Sequence, residues 1–293
     1  MTHSKIASQF GGKTAVITGA ASGIGEGLAK HAAQLGMQLV LADIQGDKLQ
    51  ALKATLETPV ETVVTDVSVP QSVQELAARA FDRFGHVDLV FNNAGIVVMG
   101  LIWEIDRPRF EKQMAVNIGG VFNVLQAFIP RMIAGIRPSR MINTASIAGF
   151  MPFPLTGLYS ASKFAIVGMT EALHHELRML NAPVQVSLLV PGSVKSSIFD
   201  DQAERGRQSP TMRAHIEKGL KAQEPYAMSA EDCARHTFSG IANGEYWLIP
   251  QPEYLDTLLP DRLDTILRRR HPELPSTVGL PDAKEYAALF QSK

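Results

Sequence analysis

Short runs of Val, Ile and Leu alternate along this chain with longer segments whose apolar residues recur about once per helical turn. The segment after the first run carries Ile24, Leu28, Ala32 and Leu35 in this spacing. The apolar runs are 15–18, 39–42, 60–64, 89–91, 141–143 and 184–190. Strands that are apolar on both faces are typical of parallel sheets covered by helices on each side. We therefore predict an α/β fold: a single doubly wound parallel sheet with helices on both faces and right-handed crossovers.

The length of 293 residues fits one α/β domain with additions. Residues 1–250 form the predicted main domain, in which the regular pattern loosens into a loop over about 191–228. After this loop, apolar periodicity predicts a helix over 230–242, a short strand over 246–249 and a helix over 254–269. The last of these falls in a C-terminal extension, 251–293, which we expect to pack on the same domain or on a neighbouring subunit.

Charge and cysteine content limit the classes of partner. The chain has 28 basic and 29 acidic residues, so its net charge of −1 does not attract a nucleic acid or an anionic membrane. The one cysteine, Cys233, allows no internal disulfide and no thiol cluster for a metal, which fits a reducing compartment. Residues 1–12 lack the apolar core of a signal peptide, and no stretch approaches the about 20 apolar residues of a membrane span. We expect a cytoplasmic protein with no metal site, whose partner is a small molecule and neither nucleic acid nor membrane.

A glycine-rich turn follows the first predicted strand, with the sequence Thr-Gly-Ala-Ala-Ser-Gly-Ile-Gly at 18–25. Glycines let the backbone approach a pyrophosphate closely, and the N–H groups at the start of the next helix attract phosphate oxygens. Glycines also end strands and admit close packing, but the strand–turn–helix context favours a dinucleotide site. The cofactor-binding candidates in this turn are Gly19, Ser22, Gly23, Ile24 and Gly25.

The second predicted strand ends at Asp43, about 20 residues past the glycines. A carboxylate in this position accepts hydrogen bonds from the adenosine ribose and repels a 2′-phosphate. No Arg or Lys stands at Ser22 or Ile44, where a positive charge would help to bind that phosphate. This pattern predicts NAD rather than NADP as the cofactor; the alternative for Asp43 is a solvated carboxylate in a turn.

Tyr159 and Lys163 lie four residues apart at the start of a predicted helix, so the phenol and the ammonium share one face. A tyrosine hydroxyl has a pKa of about 10, and a nearby ammonium lowers it by favouring the phenolate. The pair therefore suits proton transfer near neutral pH. In isolation the same spacing also occurs in stacked surface pairs, so its neighbours decide between the two interpretations.

Four further features appear in order along the chain. They are Asn92-Asn93-Ala94-Gly95 after the fourth strand, Asn117 within a helix, Ser146 after the fifth strand and Pro191-Gly192 after the sixth. With the glycine turn and the Tyr-x-x-x-Lys pair, they make the chain resemble the short-chain dehydrogenase/reductase family, from about residue 13 to 249. The resemblance implies a Rossmann-type dinucleotide-binding fold, a nicotinamide cofactor and the interconversion of an alcohol and a ketone.

The resemblance also implies roles for four catalytic candidates. Tyr159 is the general acid/base, and Lys163 binds the nicotinamide ribose while lowering the pKa of the phenol. Ser146 hydrogen-bonds the substrate oxygen. Asn117 interrupts its helix and holds a water that links Lys163 to solvent in a proton relay.

Further cofactor contacts follow from the same resemblance. Asp66 meets the adenine amino group, with the Val67 backbone beside it, and Asn93 braces the strand and bonds with Thr18. Ser196 stands where the family usually has Thr, and its hydroxyl meets the nicotinamide carboxamide. The other positions implied are Ala94, Gly95, Pro191, Gly192 and Val194.

The segments expected to line the substrate side are strongly apolar. They predict that the substrate is a hydrophobic secondary alcohol, and aromatic alcohols belong to this class. The pocket candidates are Val97, Phe150, Phe153, Ile198 and Phe199. The loop over about 191–228 resembles the family's mobile substrate loop, and the long helices at 107–132 and 156–180 resemble those that join family members into homodimers or homotetramers. Two other functions compete: a β-ketoacyl-thioester reductase, which Asp43 disfavours, and a non-catalytic dinucleotide sensor, which the intact catalytic set disfavours.

Overall fold

The computed structural model describes residues 3–196, 198 and 210–273. Phe199, one of the predicted pocket residues, lies outside this part of the chain, as do the rest of 199–209 and the end of the predicted extension, 274–293.

Seven strands form one sheet in the order β3-β2-β1-β4-β5-β6-β7, and every neighbouring pair is parallel. The strands are β1 Thr14–Thr18, β2 Gln38–Asp43, β3 Val60–Val64, β4 Leu89–Asn92, β5 Ser139–Thr144, β6 Val184–Leu189 and β7 Trp247–Leu248. The strand order reverses between β1 and β4, which is the switch point where ligands bind in doubly wound sheets. The predicted fold class is therefore confirmed.

The helices connect these strands and cover both faces of the sheet. They are α1 His3–Phe10, α2 Gly23–Gln34, α3 Gly46–Lys53, α4 Pro70–Phe84, α5 Arg107–Met114, α6 Gly120–Ala134, α7 Gly157–Met179, α8 Pro210–Gln223, α9 Ala230–Ala242 and α10 Pro252–Leu267. A π-helical turn, Ala115–Gly119, joins α5 to α6, and short 3-10 turns cover Ile102–Glu104, Ile147–Gly149 and Glu224–Tyr226. The sequence pattern did not indicate α1, which ends at Phe10 with its ring 5.1 Å from that of Phe238.

Two apolar cores lie on opposite faces of the sheet. Successive residues of β1 belong to different cores: Ile17 packs with Leu28 of α2, and Val16 packs with Phe128 of α6. All four side chains are fully buried. Burial on both faces explains why the strands are continuous apolar runs rather than alternating ones.

One helix among the described residues is long and apolar enough to cross a membrane by length and composition. It is the continuous 28-residue helix Arg107–Ala134, formed by α5, the π turn and α6. The expectation that no stretch approaches a membrane span was therefore wrong on length and composition. Val124, Phe128 and Met132 of this helix are buried in the core that contains Val16, as in the core helix of a globular domain, so the match is weak evidence for a span.

The packing of α2 against α9 depends on Gly27. A Cβ built at this position would stand 2.4 Å from the carbonyl oxygen of Ala230, whereas one at Gly168 of α7 meets nothing within 4 Å. We expect Gly27→Ala to lower the free energy of unfolding by about 1–3 kcal/mol through overpacking. Gly168→Ala should raise it by about 0.5–1 kcal/mol because the unfolded chain with alanine has less conformational freedom to lose on folding. Urea unfolding measures both, and equal effects of the two substitutions would contradict this account.

Candidate active site

The predicted site residues follow the carboxyl ends of neighbouring strands. The glycine turn follows β1, Asn93 follows β4, Ser146 follows β5 by two residues and Pro191 follows β6 by two residues. In a parallel sheet these ends meet at one edge, and the reversal of strand order between β1 and β4 opens a crevice there. Segments far apart in the sequence are thereby brought to a common site.

The glycine turn has the close backbone approach that its sequence predicted. Gly19 and Gly23 have φ values of 66° and 52°, in the left-handed region that glycine adopts without strain. A Cβ on Gly25 would stand 2.0 Å from the carbonyl oxygen of Gly19. Helix α2 begins at Gly23, and Ser22 makes no side-chain capping bond, so the first-turn N–H groups are available to an outside acceptor. Ser196 lies against this turn, with its Cβ 2.7 Å from where a Cβ of residue 23 would stand.

Thr18 and Asn93 clamp the glycine turn to β4. The buried Thr18 hydroxyl accepts hydrogen bonds from the backbone N–H groups of Asn93 at 2.9 Å and Ala94 at 3.1 Å. The side-chain amide of Asn93 donates back to the Thr18 carbonyl at 3.1 Å. The structure thus contains the bond between Asn93 and Thr18 that the sequence analysis expected, and it holds the start of the Asn-Ala-Gly segment next to the turn.

The Asp43 carboxylate also lies beside the glycine turn. One oxygen accepts a hydrogen bond from the Ala21 backbone N–H at 3.1 Å, and the other accepts from Gln45 at 3.0 Å. This tie to the turn was missed by sequence reasoning, which weighed only a ribose contact and a solvated carboxylate. Each carboxylate oxygen keeps a further lone pair, so Asp43 can still accept from ribose hydroxyls. Ile44 next to it is 66% exposed and open to a ligand.

Asp66 and Val67, the predicted adenine contacts, are partly engaged by other groups. Asp66 is exposed, and its Oδ1 accepts from the backbone and hydroxyl of Ser68 at 2.9 and 2.6 Å. The carbonyl of Val67 accepts from the side-chain amide of Asn123 at 2.8 Å. Both residues lie at the carboxyl end of β3, and the second oxygen of Asp66 remains the group with which it would meet an amino group.

Tyr159 and Lys163 lie on the same face of α7. The Lys163 ammonium is 5.5 Å from the centroid of the Tyr159 ring and donates a hydrogen bond to the Thr144 carbonyl at 2.8 Å. The side chain of Ser146, which lies in the turn after β5, is close enough to the Tyr159 hydroxyl to favour its phenolate form. Thr144 is the last residue of β5. The end of this strand therefore places the Thr144 carbonyl against Lys163, and the turn that follows places Ser146 near Tyr159.

Burial governs the protonation of this pair. It raises the pKa of Tyr159 to about 12, with the side chain of Ser146 acting in the opposite direction. It lowers the pKa of Lys163 to about 8. Withdrawal from water disfavours the charged form of each group, so the net pKa of the phenol lies above its ordinary value. That the lysine lowers this pKa stays a prediction.

Asn117 lies at the centre of the π-helical turn that joins α5 to α6, so the expected interruption of the helix is present. A π turn holds one more residue than an α turn and is frequent at functional sites. Oδ1 of the fully buried Asn117 accepts from the Ile96 N–H at 2.9 Å, and its amide donates to Ser162 Oγ at 3.0 Å. A Cβ on Gly95 would stand 3.4 Å from Asn117 Oδ1 and 3.7 Å from Lys163 Nζ, so both side chains lie beside this glycine.

A buried polar bridge that sequence reasoning missed supports the site. The side-chain amide of Asn92 donates to Oδ1 of Asn143 at 3.1 Å, and the amide of Asn143 donates to the Thr170 hydroxyl at 2.9 Å. The bridge ties β4 to β5 and β5 to α7, the helix that carries Tyr159. Its sequence signal is Asn143, an amide that ends an otherwise apolar run.

The described pocket candidates are only partly brought together by contacts in the structure. Val97 is buried, and Phe150 packs its ring 5.8 Å from that of Trp247 at β7. Phe153 and Ile198 are half-buried. The assignment of these residues to a substrate pocket stays a prediction.

The residues at this edge fit a dinucleotide. The glycine turn leaves no room for side chains and offers the N–H groups of a helix start, which suits a pyrophosphate. Lys163 uses one of its three N–H donors on Thr144, which leaves two for ribose hydroxyls. Asp43 provides carboxylate oxygens at the end of β2, as a second ribose requires.

The buried Lys163 leads to a prediction for stability against pH. The pKa of Lys163 is about 8 in the folded chain against an ordinary value of 10.5, so between these values the unfolded chain binds more protons and stability rises with pH. Lys163→Met removes this rise. Between pH 8 and pH 10.5 the free energy of unfolding of the wild type should therefore increase by about 3 kcal/mol relative to that of the variant. Urea unfolding at several pH values measures the difference. The exposed Lys48→Met serves as control, and a Lys163→Met curve parallel to the wild type would contradict a buried amine.

Comparison with known proteins supports the interpretation of this site. Residues 13–206 match the sequence profile described as short chain dehydrogenase. The chain is 32% identical over 286 residues to a CLA biosynthesis dehydrogenase/reductase of Lactiplantibacillus plantarum, a match that covers 92% of this chain and 99% of that protein. It is 34% identical over 260 residues to 1-deoxy-11-beta-hydroxypentalenate dehydrogenase of Streptomyces avermitilis, covering 87% of this chain and 90% of that one.

A solved structure is similar as well. A short chain dehydrogenase/reductase from Burkholderia phymatum, in complex with NAD, superimposes with a TM-score of 0.84 at 36% identity. The superposition covers 92% of this chain and 99% of that one. Because the profile spans most of the chain and these relatives align over nearly their full lengths, the chain belongs to the short-chain dehydrogenase/reductase family of oxidoreductases, which bind a nicotinamide dinucleotide.

Proposed function

We propose that the chain is an NAD-dependent oxidoreductase that interconverts a hydrophobic secondary alcohol and its ketone, with Tyr159 as general acid/base. The observation that carries this proposal is the close approach of Lys163, Tyr159 and Ser146 at the edge of the sheet where the carboxyl ends of the strands meet. Lys163 Nζ stands 5.5 Å from the centroid of the Tyr159 ring, and the side chain of Ser146 acts on the Tyr159 hydroxyl so as to lower its pKa. A substrate oxygen between Ser146 and Tyr159 has one group to hold it and another to exchange its proton.

Each residue has a defined task in the oxidation direction. Ser146 donates a hydrogen bond to the substrate oxygen, and Tyr159 takes the proton of the hydroxyl group. Lys163 holds its ammonium over the phenol ring, where positive charge stabilises the phenolate. A nicotinamide cofactor held by the glycine turn and Lys163 would supply the acceptor for the hydride of the substrate carbon and a positive charge near the phenol. Reduction of the ketone follows the same path backwards, with Tyr159 donating the proton.

The preference for NAD over NADP is supported by charge at the end of β2. Asp43 places a carboxylate next to the glycine turn, where a 2′-phosphate would be repelled. Neither Ser22 nor the exposed Ile44 offers a positive charge to offset it. The similar structure from Burkholderia phymatum contains NAD, which supports the same choice.

An alcohol substrate is supported by the relative named as a dehydrogenase of a hydroxypentalenate, and a hydrophobic one by the apolar segments after β4 and β5. We also propose that the protein acts on a small molecule as a homodimer or homotetramer joined through α5 to α7. Phe122 on α6 is 49% exposed, which fits burial in such an interface.

Tyr159→Phe tests the general acid/base. The substitution removes the hydroxyl and little volume, so kcat/KM for alcohol oxidation should fall at least about 100-fold. The dissociation constant for NAD and the unfolding temperature should change little. Steady-state kinetics, NAD titration and thermal unfolding measure the three quantities. A variant with the wild-type rate would overturn the role of Tyr159.

Asp43→Asn tests cofactor choice. The amide keeps the size of the side chain and one acceptor oxygen, so it retains one of the two bonds from the Ala21 and Gln45 N–H groups while it removes the negative charge. The ratio of kcat/KM for NADP to that for NAD should rise about tenfold, which corresponds to about 1.4 kcal/mol. Asp47→Asn changes an exposed carboxylate nearby on α3 and should leave the ratio unaltered. An equal ratio in the two variants would contradict the proposed repulsion.

A further inference from the structure

Ser162 lies on α7 between the two residues of the proton-transfer pair, three positions after Tyr159 and one before Lys163. Its side chain is fully buried. Serine is not a favoured residue inside a helix, because its hydroxyl competes for backbone groups, and a buried hydroxyl is nearly always hydrogen-bonded. The hydrogen bonds of Ser162 therefore indicate what this residue does.

The Ser162 hydroxyl makes two hydrogen bonds whose directions are fixed. It donates to the Tyr159 carbonyl at 2.7 Å and accepts from the side-chain amide of Asn117 at 3.0 Å. The Asn117 amide is oriented by Ile96, whose backbone N–H, at 2.9 Å, requires an acceptor and so faces Oδ1. The amide nitrogen that faces Ser162 can only donate, so the one proton of the hydroxyl goes to the carbonyl.

These bonds form a continuous chain from the segment after β4 to the catalytic helix. The Ile96 N–H donates to Asn117, Asn117 donates to Ser162, and the hydroxyl donates to the backbone of α7. Because all three bonds run in the same direction, each polarises and strengthens the next. The Asn117 amide also donates to the Ile96 carbonyl at 3.0 Å, so both of its hydrogens are used. Loss of the Ser162 hydroxyl would leave one of these buried hydrogens unpaired.

The Asn117 end of this chain is itself held firmly. Gln113 lies four residues before Asn117 and is also fully buried, and its side-chain oxygen accepts from the Val98 N–H. The backbone of residues 96–98 is thus bonded at two points to the helix that contains the π turn. Ser162 extends this connection to α7.

Two hydrogen bonds that hold α7 lie well apart along its axis. Asn143 donates to the Thr170 hydroxyl at 2.9 Å and ties the helix to β5. Ser162 lies about 12 Å back along the axis and ties the helix to the π turn. Bonds at two separate points fix the tilt of a helix, whereas a single one lets it pivot. The bond at Ser162 is the one beside Tyr159.

We propose that Ser162 is a positioning residue, which acts through Asn117 to hold the two proton-transfer residues of α7 in place beside the segment after β4. The inference rests on the proposed function, because the quantity that Ser162 controls is the rate of proton exchange at Tyr159. Both Asn117 and Lys163 lie beside Gly95. A shift of α7 against the π turn therefore moves the ammonium and the phenol together.

Ser162→Ala tests the hydroxyl, and Ser160→Ala is its matched control. Ser160 is 1% exposed on the same helix, but its hydroxyl has no hydrogen-bond partner among the residues that the structure describes. With NAD and either 1-phenylethanol or 2-octanol, we expect kcat to fall about tenfold in Ser162→Ala, as for one lost hydrogen bond. The KM for the alcohol and the dissociation constant for NAD should change little, because Ser162 contacts neither. Ser160→Ala should leave all three quantities unaltered.

Two further sets of variants separate positioning from a purely structural role. Ser162→Thr keeps a hydroxyl that can reach the carbonyl one turn back, so it should retain most of the wild-type kcat. In an Asn117→Ala background, Ser162→Ala should lower kcat no further, because the connection is already lost. Urea unfolding of the same single and double variants should show energetic coupling between the two positions, which is a readout independent of activity.

Several results would overturn the proposal. They are a wild-type kcat in Ser162→Ala, an equal fall in Ser160→Ala, a Ser162→Thr variant as slow as Ser162→Ala, and additive effects in the double variant. A Ser162→Ala variant that unfolds more easily but keeps its kcat has lost only a structural bond, which also refutes positioning. If the wild type oxidises neither alcohol, the proposed function fails, and the urea measurements still decide whether Ser162 and Asn117 are coupled. Turnover with an unaltered kcat in Ser162→Ala refutes this inference alone.

Discussion

The structure depends on holding an ammonium and a phenol together where neither is well solvated. Burial favours the neutral form of both Tyr159 and Lys163, and the remaining contacts of the site work against that tendency. The Thr144 carbonyl accepts from the ammonium, and the side chain of Ser146 favours the phenolate. A pair held in this way responds strongly to one additional positive charge, since water does little to screen it.

The parallel sheet positions Tyr159 and Lys163 relative to each other. The end of β5 supplies Thr144 and the turn after it supplies Ser146, while α7 supplies Lys163 and Tyr159. The amides of Asn92 and Asn143 fix β4, β5 and α7 relative to one another through hydrogen bonds in an otherwise apolar core. Such a bridge is directional, so it specifies one register where apolar contacts alone tolerate small shifts.

The site combines a part that lies within the family profile with a part that lies beyond it. The glycine turn, the π turn at Asn117 and the Tyr159 pair lie within the 13–206 profile match, whereas α10 lies beyond it. Helix α10 reaches the part within the profile at Gly192, where the absence of a side chain admits Tyr254 and Gln251. A constant reacting centre with a variable wall is the arrangement by which one fold accommodates different substrates.

The sequence by itself determined the sheet, the order of its elements and the candidate site, because strand burial and glycine turns leave local patterns. It placed β5 at 141–143 rather than Ser139–Thr144, since Arg140 is buried by bonds to Ser187 and Glu245 that local pattern does not show. Only the tertiary structure decided the tie of Asp43 to the glycine turn, the raised pKa of Tyr159 and the contact of Gln251 with Gly192. Each of these depends on groups distant in sequence sharing one water-poor space, and desolvation is a property of the assembled fold rather than of any segment.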